Sequence, residues 1–110
     1  MTLRPEACPI LESVAQTLRT PVYSKFKIAV EGHTDDNPIT NAHFASNWEL
    51  SAARATNVVR LFGGAEIPVH RMRAVAFAET QPKVPNRDGT GNPLPENQAK
   101  NRRIIIRVHR

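Results

Sequence analysis

The stretch KFKIAVEGHTDDNP, residues 25–38, contains a strand and the loop that leaves it. Between residues 25 and 31, apolar and polar side chains alternate, with Phe26, Ile28 and Val30 on one side. An alternation of period two predicts a strand with one buried face. The Gly, Asp, Asn and Pro residues that follow predict a polar loop at the carboxyl end of this strand.

A helix is predicted on each side of this strand. Apolar side chains recur every three or four residues from Pro5 to Leu18, the spacing of one helix face. A longer stripe of the same kind runs from Phe44 to Phe62 and includes Trp48, which we expect in the core. Gly63 follows this stripe and predicts the end of the second helix.

Two further strands are predicted in the second half of the chain. Residues 71–78 form a short apolar run, and residues 103–110 alternate. Between them, residues 80–100 hold four prolines and two glycines, which predicts an irregular excursion. The order of elements predicts a single domain over residues 1–110. Its fold class is α/β, an α+β two-layer sandwich with two helices on one face of a small mixed sheet and a parallel strand-helix-strand unit.

Composition narrows the classes of function. The chain has 15 Lys and Arg against 10 Asp and Glu, a formal charge of +5, which favours an anionic partner. Aromatic residues make up only 5%, too few for a surface that stacks bases, so we expect no nucleic acid partner. Cys8 is the single cysteine and excludes an internal disulfide. No apolar run is long enough to span a membrane, so any membrane tether is expected outside this sequence.

The loop after the first strand is the expected place for a site, because ligands bind at the carboxyl ends of strands in open sheets. Asp35 lies in this loop. On the next helix, Asn47, Ser51 and Arg54 share one polar stripe. If this stripe faces the loop, Asp35 could bind an ammonium and Arg54 a carboxylate of one zwitterion. From spacing alone, a structural salt bridge or a loop cap formed by these residues is favoured over a binding site, since most ion pairs are only structural.

Catalytic and metal-binding interpretations are less well supported by the sequence. Asp35 and Asp36 are adjacent, so on an extended chain they point in opposite directions and could not flank a glycosidic bond. Cys8 has no motif around it and is expected to be a packed thiol. His33 and His43 could join the two aspartates around zinc, but their spacing matches no metal signature. We expect no enzyme activity, no catalytic residue, no cofactor and no metal.

Four segments in order resemble the OmpA-like peptidoglycan-binding domain. They are Gly32-His33-Thr34-Asp35, Asn47 to Ala55, Pro82 to Asn86, and Asn101-Arg102-Arg103. Within that family, residues 3–7, 35–38, 44–48 and 78–82 are similar to the MotB group, the wall-anchoring stator subunits of flagellar motors. The resemblance spans nearly the whole chain.

The resemblance implies non-covalent binding of peptidoglycan through the diaminopimelate residue of its stem peptide. Asp35 and Arg54 match the aspartate and arginine that hold this residue in the family. Asn47 and Leu50 are then expected to shape the pocket, Thr34 to order the loop, and Arg102 to lie at the pocket's edge. The resemblance also implies a periplasmic location, a homodimer, and a MotA-type channel partner reached through an N-terminal membrane helix absent from this sequence.

The sequence leaves other functions open besides that of a flagellar stator subunit. The same pocket would serve an OmpA-like anchor of a secretion system or an outer-membrane lipoprotein, and a basic nucleic-acid-binding domain is the alternative of another class.

The family's first strand is expected to be truncated, because Met1 to Leu3 leave no room for it. Residues 87–98 are longer than usual for the family, and Ala76 stands where glycine is common.

Overall fold

The computed structural model describes residues 8–110, and residues 1–7 lie outside that range. The expected beginning of the first helix at Pro5 and the expected loss of a first strand therefore concern residues outside the described part. Within it, three helices and three strands follow one another as α1 Cys8–Leu18, β1 Lys27–His33, α2 Asn47–Gly64, β2 Met72–Ala78, α3 Pro95–Asn101 and β3 Arg103–His109. Short 3-10 turns precede β1 at Pro21–Tyr23 and β2 at Val69–Arg71.

The sheet has the strand order β2-β1-β3 and is mixed, as predicted. β1 pairs in parallel with β2, so that Val30 lies opposite Ala74, and antiparallel with β3, so that His33 lies opposite Arg103. The register with β2 shifts after Gly32, where the ladder has an irregularity. β1 is therefore the central strand, and its carboxyl end lies between both neighbours.

The core lies between the sheet and helices α1 and α2. It contains fully or almost fully buried residues from α1, β1, α2 and the segment after α2: Ala15, Leu18, Ile28, Val30, Ala55, Val58, Phe62 and Ile67. β1 and α2 approach very closely at Gly32, where an added Cβ would lie 2.1 Å from the carbonyl oxygen of Ser51. Glycine is thus required at the point where the strand enters the site.

The second face of β1 is more buried than the sequence predicted. Residues 28–33 are all buried, although alternation predicted a solvated face for Glu31. Glu31 instead accepts a hydrogen bond from Arg107 Nε at 2.6 Å and lies 3.4 Å from His33 Nε2. The His33 ring stacks on Phe77 with centroids 5.0 Å apart. β1 has a neighbouring strand on each edge. Phe77 from β2 and Arg107 from β3 therefore cover the face of β1 that does not pack on the helices.

Helix α2 begins later than the apolar stripe predicted. Ser46 is its N-cap and accepts a hydrogen bond from the backbone N–H of Trp48 at 3.1 Å, and the Ser46 hydroxyl also contacts the Glu49 carboxylate. Phe44 precedes the helix, and the side chain of Trp48 is 49% exposed. The prediction that Trp48 belongs to the core was therefore wrong.

The excursion between β2 and β3 is also more ordered than predicted. Its last part is helix α3, with Pro95 at the first position and Asn101 fully buried at its end. The Asn101 carboxamide accepts from the backbone N–H groups of Lys83 at 2.8 Å and Val84 at 3.1 Å, and it donates to Asn86 at 2.8 Å. The Asn101 side chain thus links the beginning of the segment between β2 and β3 to its end.

Candidate ligand-binding site

All six predicted binding residues line one cavity of about 230 Å³. Thr34 and Asp35 come from the loop after β1, Asn47, Leu50 and Arg54 from the first half of α2, and Arg102 from the junction of α3 and β3. The remaining wall consists of Asn37, Pro38 and Ile39. Two neighbouring segments and a third one far along the sequence therefore converge at the carboxyl end of the central strand, where the sequence predicted a site.

Asp35 forms the acidic wall of this cavity. It is 7% exposed, and its carboxylate accepts a hydrogen bond from Arg102 Nη1 at 2.6 Å and another from the backbone N–H of Asn37 at 3.0 Å. Arg102 is more open, with 43% of its side chain exposed. A buried carboxylate requires such partners, because an uncompensated charge is costly to remove from water.

The loop that carries Asp35 is held from both sides. Thr34 donates its backbone N–H to the Ala78 carbonyl at 2.9 Å and its hydroxyl to the Asp35 carbonyl at 2.8 Å. From α2, the Asn47 carboxamide donates to the Asn37 carbonyl at 3.0 Å and, more weakly, to the Asp35 carbonyl at 3.4 Å. Both residues lie where the sequence predicted them, and both act through the loop backbone.

The ion pair of the pocket joins the Asp35 carboxylate to Arg102. Arg54 lies in the wall formed by α2, together with Leu50. The cavity therefore presents one carboxylate and two guanidinium groups, a set suited to a ligand that has both an ammonium and a carboxylate.

Sequence reasoning missed a second set of contacts beside the pocket. Asp36 accepts a hydrogen bond from Arg87 Nε at 2.8 Å and one from the Gln98 carboxamide at 3.0 Å. Burial opposes ionisation of Asp36, but these hydrogen bonds outweigh it and hold the pKa of the carboxyl below its ordinary value. The long 87–98 segment is thereby attached to the residue next to Asp35. Pro95 followed by Glu96 is a helix-start signal that could have indicated α3.

Other features bear on the classes of function considered. Among residues 8–110, no group of three His, Cys, Asp or Glu side chains is placed to hold a metal ion. In the same range no helix combines the length and apolar character needed to cross a membrane. At the junction Asn101-Arg102-Arg103, Asn101 is buried and Arg102 lines the pocket.

The fold defines a class: a small α+β domain of the OmpA-like, peptidoglycan-binding kind. The chain belongs to the OmpA family, whose model matches residues 1–102. Membership in this family confirms the prediction of a binding domain that is not an enzyme.

Relatives connect the chain to the MotB group. It is 30% identical over 108 residues to Motility protein B of Bacillus subtilis, covering 97% of this chain and 38% of that protein. It is 42% identical over 80 residues to the uncharacterized protein YtxE of the same organism, covering 72% and 31% of the two chains. The chain thus spans less than two fifths of the length of these curated relatives.

Solved structures of MotB and of another cell wall anchor have the same fold as this chain. The C-terminal domain of Helicobacter pylori MotB superposes with a TM-score of 0.83 at 25% identity, covering 99% of this chain and 77% of that one. The cell wall anchor of the T6SS from Pseudomonas aeruginosa superposes with a TM-score of 0.80 at 33% identity, covering 98% and 68%. The predicted fold and the resemblance to OmpA-like, MotB-type domains are therefore confirmed.

Proposed function

We propose that this chain holds the diaminopimelate residue of the peptidoglycan stem peptide without cleaving it, and thereby anchors a flagellar stator complex to the cell wall. One observation supports the proposal most directly. A single small cavity brings together Asp35, Arg54 and Arg102, one acidic and two basic side chains, with a neutral wall between them. An amino-acid head group carries charges complementary to both kinds of side chain.

In this proposal Asp35 accepts hydrogen bonds from the ligand ammonium and Arg54 binds the ligand carboxylate. Leu50 packs against the aliphatic part of the ligand, while Thr34 and Asn47 keep the loop in position. Each charge-assisted hydrogen bond contributes about 1.5–3 kcal/mol, so one pocket would bind a monomeric fragment weakly.

The same proposal extends to the whole protein. Residues 1–110 serve as one wall-binding domain in the periplasm, joined to the inner membrane by an N-terminal helix outside this sequence. Two such domains in a homodimer would raise the effective affinity for a continuous wall, because the second binding event becomes intramolecular. The membrane helix would bring the domain to a MotA-type channel subunit.

A second candidate function is favoured by one observation. The T6SS cell wall anchor matches this chain at 33% identity with a TM-score of 0.80. The chain would then attach a secretion system to the wall through the same pocket. A gene sequence upstream that encodes one spanning helix with an aspartate would support the stator, whereas a lipobox cysteine would support an outer-membrane lipoprotein.

Sedimentation with purified sacculi tests the proposal. We expect the native chain to pellet with sacculi, and we expect Asp35→Ala and Arg54→Ala to abolish pelleting while thermal unfolding remains cooperative. Arg60→Ala is the matched control, since Arg60 is an exposed arginine on the same helix. It should pellet as the native chain does.

Three results would contradict the proposal. Both pocket variants could pellet like the native chain, in which case neither charge serves wall binding. Alternatively, the native chain could fail to pellet and instead shift DNA in a salt-sensitive manner, which would favour the nucleic-acid-binding alternative. Release of soluble muropeptides from the sacculi would indicate a hydrolase.

A further inference from the structure

A basic cavity of about 220 Å³ lies at the amino end of the paired strands β1 and β2. Seven residues of the 8–110 range line it, of which five are basic and none is acidic. The basic ones are Lys27, His70, Arg71, Arg73 and His109. The Asp35 pocket lies at the carboxyl end of β1, and a strand of seven residues is about 20 Å long. The basic cavity is therefore a separate place on the molecule.

Arg71 is the buried member of this set, with 7% of its surface exposed. Its guanidinium donates to three backbone carbonyls, those of Leu18 at 3.1 Å, Tyr23 at 2.5 Å and Phe26 at 2.9 Å. These hydrogen bonds join the 3-10 turn before β1 to the turn before β2. Carbonyl groups satisfy the N–H donors of Arg71, but they carry no net charge and leave its positive charge in place.

The five basic residues of the cavity form no ion pair with any carboxylate of the described part of the chain. The two acidic residues nearest to them in sequence, Glu31 and Glu66, are engaged by Arg107 and Arg19. The permanent charges of one lysine and two arginines therefore share the cavity without a counter-ion from residues 8–110. A phosphate group suits such a set, because Lys and Arg bind its oxygens through charge-assisted hydrogen bonds.

Two exposed apolar side chains lie at the same end of the sheet. Val22 is 77% exposed in the turn before β1, and Val69 is 75% exposed in the turn before β2. Membrane surfaces bind proteins by burying apolar side chains at the acyl boundary and by attracting cations to anionic headgroups. A soluble phosphate polymer would use the cations but not the valines. The combination therefore favours a phospholipid as the source of the phosphate.

We propose that the amino end of the sheet is a docking surface for a membrane that contains anionic phospholipid. The cavity takes the phosphate of one headgroup, which Lys27 and Arg73 bind, while Val22 and Val69 enter the acyl boundary. The Asp35 pocket, at the opposite end of β1, then faces away from the bilayer. The inference does not depend on what occupies that pocket.

Sedimentation with lipid vesicles tests this surface. The native chain is mixed with vesicles of phosphatidylcholine alone, or of phosphatidylcholine with phosphatidylglycerol, at low and at high salt. We expect the partition coefficient for the anionic vesicles to exceed that for the neutral ones about tenfold or more. High salt should reduce this difference, because it screens the attraction between the cations and the headgroups.

Substitutions of exposed residues assign the binding to this end of the sheet. Lys27→Gln and Arg73→Gln should each lower the partition coefficient for anionic vesicles about fivefold, the contribution of one cation near an anionic bilayer. Val69→Ser should lower it about threefold or more, because an apolar contact is lost. Lys100→Gln is the matched control. Lys100 is an exposed lysine in the last turn of α3, outside the cavity, and its loss should change the partition coefficient less than about twofold.

Several outcomes would overturn the inference. Equal partition of the native chain into neutral and anionic vesicles would remove the role of the cations, as would a Lys27→Gln/Arg73→Gln double variant that binds like the native chain. Binding to soluble polyphosphate without binding to vesicles would assign the cavity to a soluble polyanion. A dimer of the native chain that Val69→Ser dissociates, again without vesicle binding, would assign this end of the sheet to a second copy.

Discussion

Gly32 is the residue at which the close contact between β1 and α2 can be tested. A Cβ at this position would lie 2.1 Å from the Ser51 carbonyl oxygen and 2.9 Å from its carbonyl carbon. Backbone atoms cannot yield as the end of a side chain can, so strand and helix would have to separate. We expect Gly32→Ala to lower the free energy of unfolding by about 3 kcal/mol, measured by urea denaturation.

Gly64→Ala is the control for this prediction. Gly64 is in the last turn of α2, and a Cβ there would have no neighbour within 4 Å. Alanine favours the helix over glycine, so this variant should keep or raise stability by up to about 1 kcal/mol. A Gly32→Ala variant as stable as the Gly64→Ala variant would show that the two elements pack less closely than described.

At the residue scale, the sequence predicted which residues line the pocket better than it predicted which side chains pair with each other. Thr34, Asp35 and Arg54 follow from one loop and one helix stripe that are close in sequence. The partner of Asp35 is Arg102, 67 residues away. That pairing depends on the antiparallel register of β1 and β3, which no local pattern of side chains reveals.

At the element scale, the loop between β2 and α3 depends on one buried carboxamide. Asn101→Ala would leave the backbone N–H groups of Lys83 and Val84 without their acceptor. We expect a loss of about 1–3 kcal/mol in the free energy of unfolding and faster hydrogen exchange at these two amides. Hydrogen exchange followed by NMR measures both amides directly.

Asn97 in the same helix supplies a matched control. It is half-buried, and its side chain donates a hydrogen bond to the Pro85 carbonyl at 2.9 Å. Asn97→Ala should therefore change stability by no more than about 0.5 kcal/mol and leave exchange at Lys83 and Val84 unchanged. Unaltered exchange in the Asn101→Ala variant would refute the role assigned to Asn101.

The elements themselves were predictable to different degrees. The long helix α2 and the alternating β3 follow from periodicity, which requires only local sequence. Helix α3 was missed because its seven residues lie in a segment whose prolines and glycines predict loops. The burial of the second face of β1 was missed because Phe77 and Arg107, which cover it, lie on the neighbouring strands. The alternation of side chains within β1 contains no information about these two residues.

At the scale of the whole molecule, we expect the free energy of unfolding to depend on pH because His33 is buried. Burial is the main cause that holds the pKa of His33 below its ordinary value, and the opposing hydrogen bond with Glu31 only partly offsets it. The unfolded chain therefore binds a proton at higher pH than the native chain does. Stability is greatest above the unfolded-state pKa of about 6.5 and falls as the pH decreases from there toward the native pKa.

Chemical denaturation between about pH 7.5 and 5.5 measures this effect, which can reach about 1.4 kcal/mol per pH unit for one proton. His33→Gln should flatten the dependence in this window. The exposed His70, changed to Gln, should leave it as in the native chain. A His33→Gln variant with the native pH dependence would exclude His33 as its source.

The position of Arg102 has a consequence for when the pocket can form. Arg102 directly precedes β3 and lies 67 residues after the aspartate that it neutralises. The charge of Asp35 is therefore balanced only once β3 has paired with β1. Pocket and sheet are completed in the same step, so a molecule with an unpaired third strand has no ordered pocket.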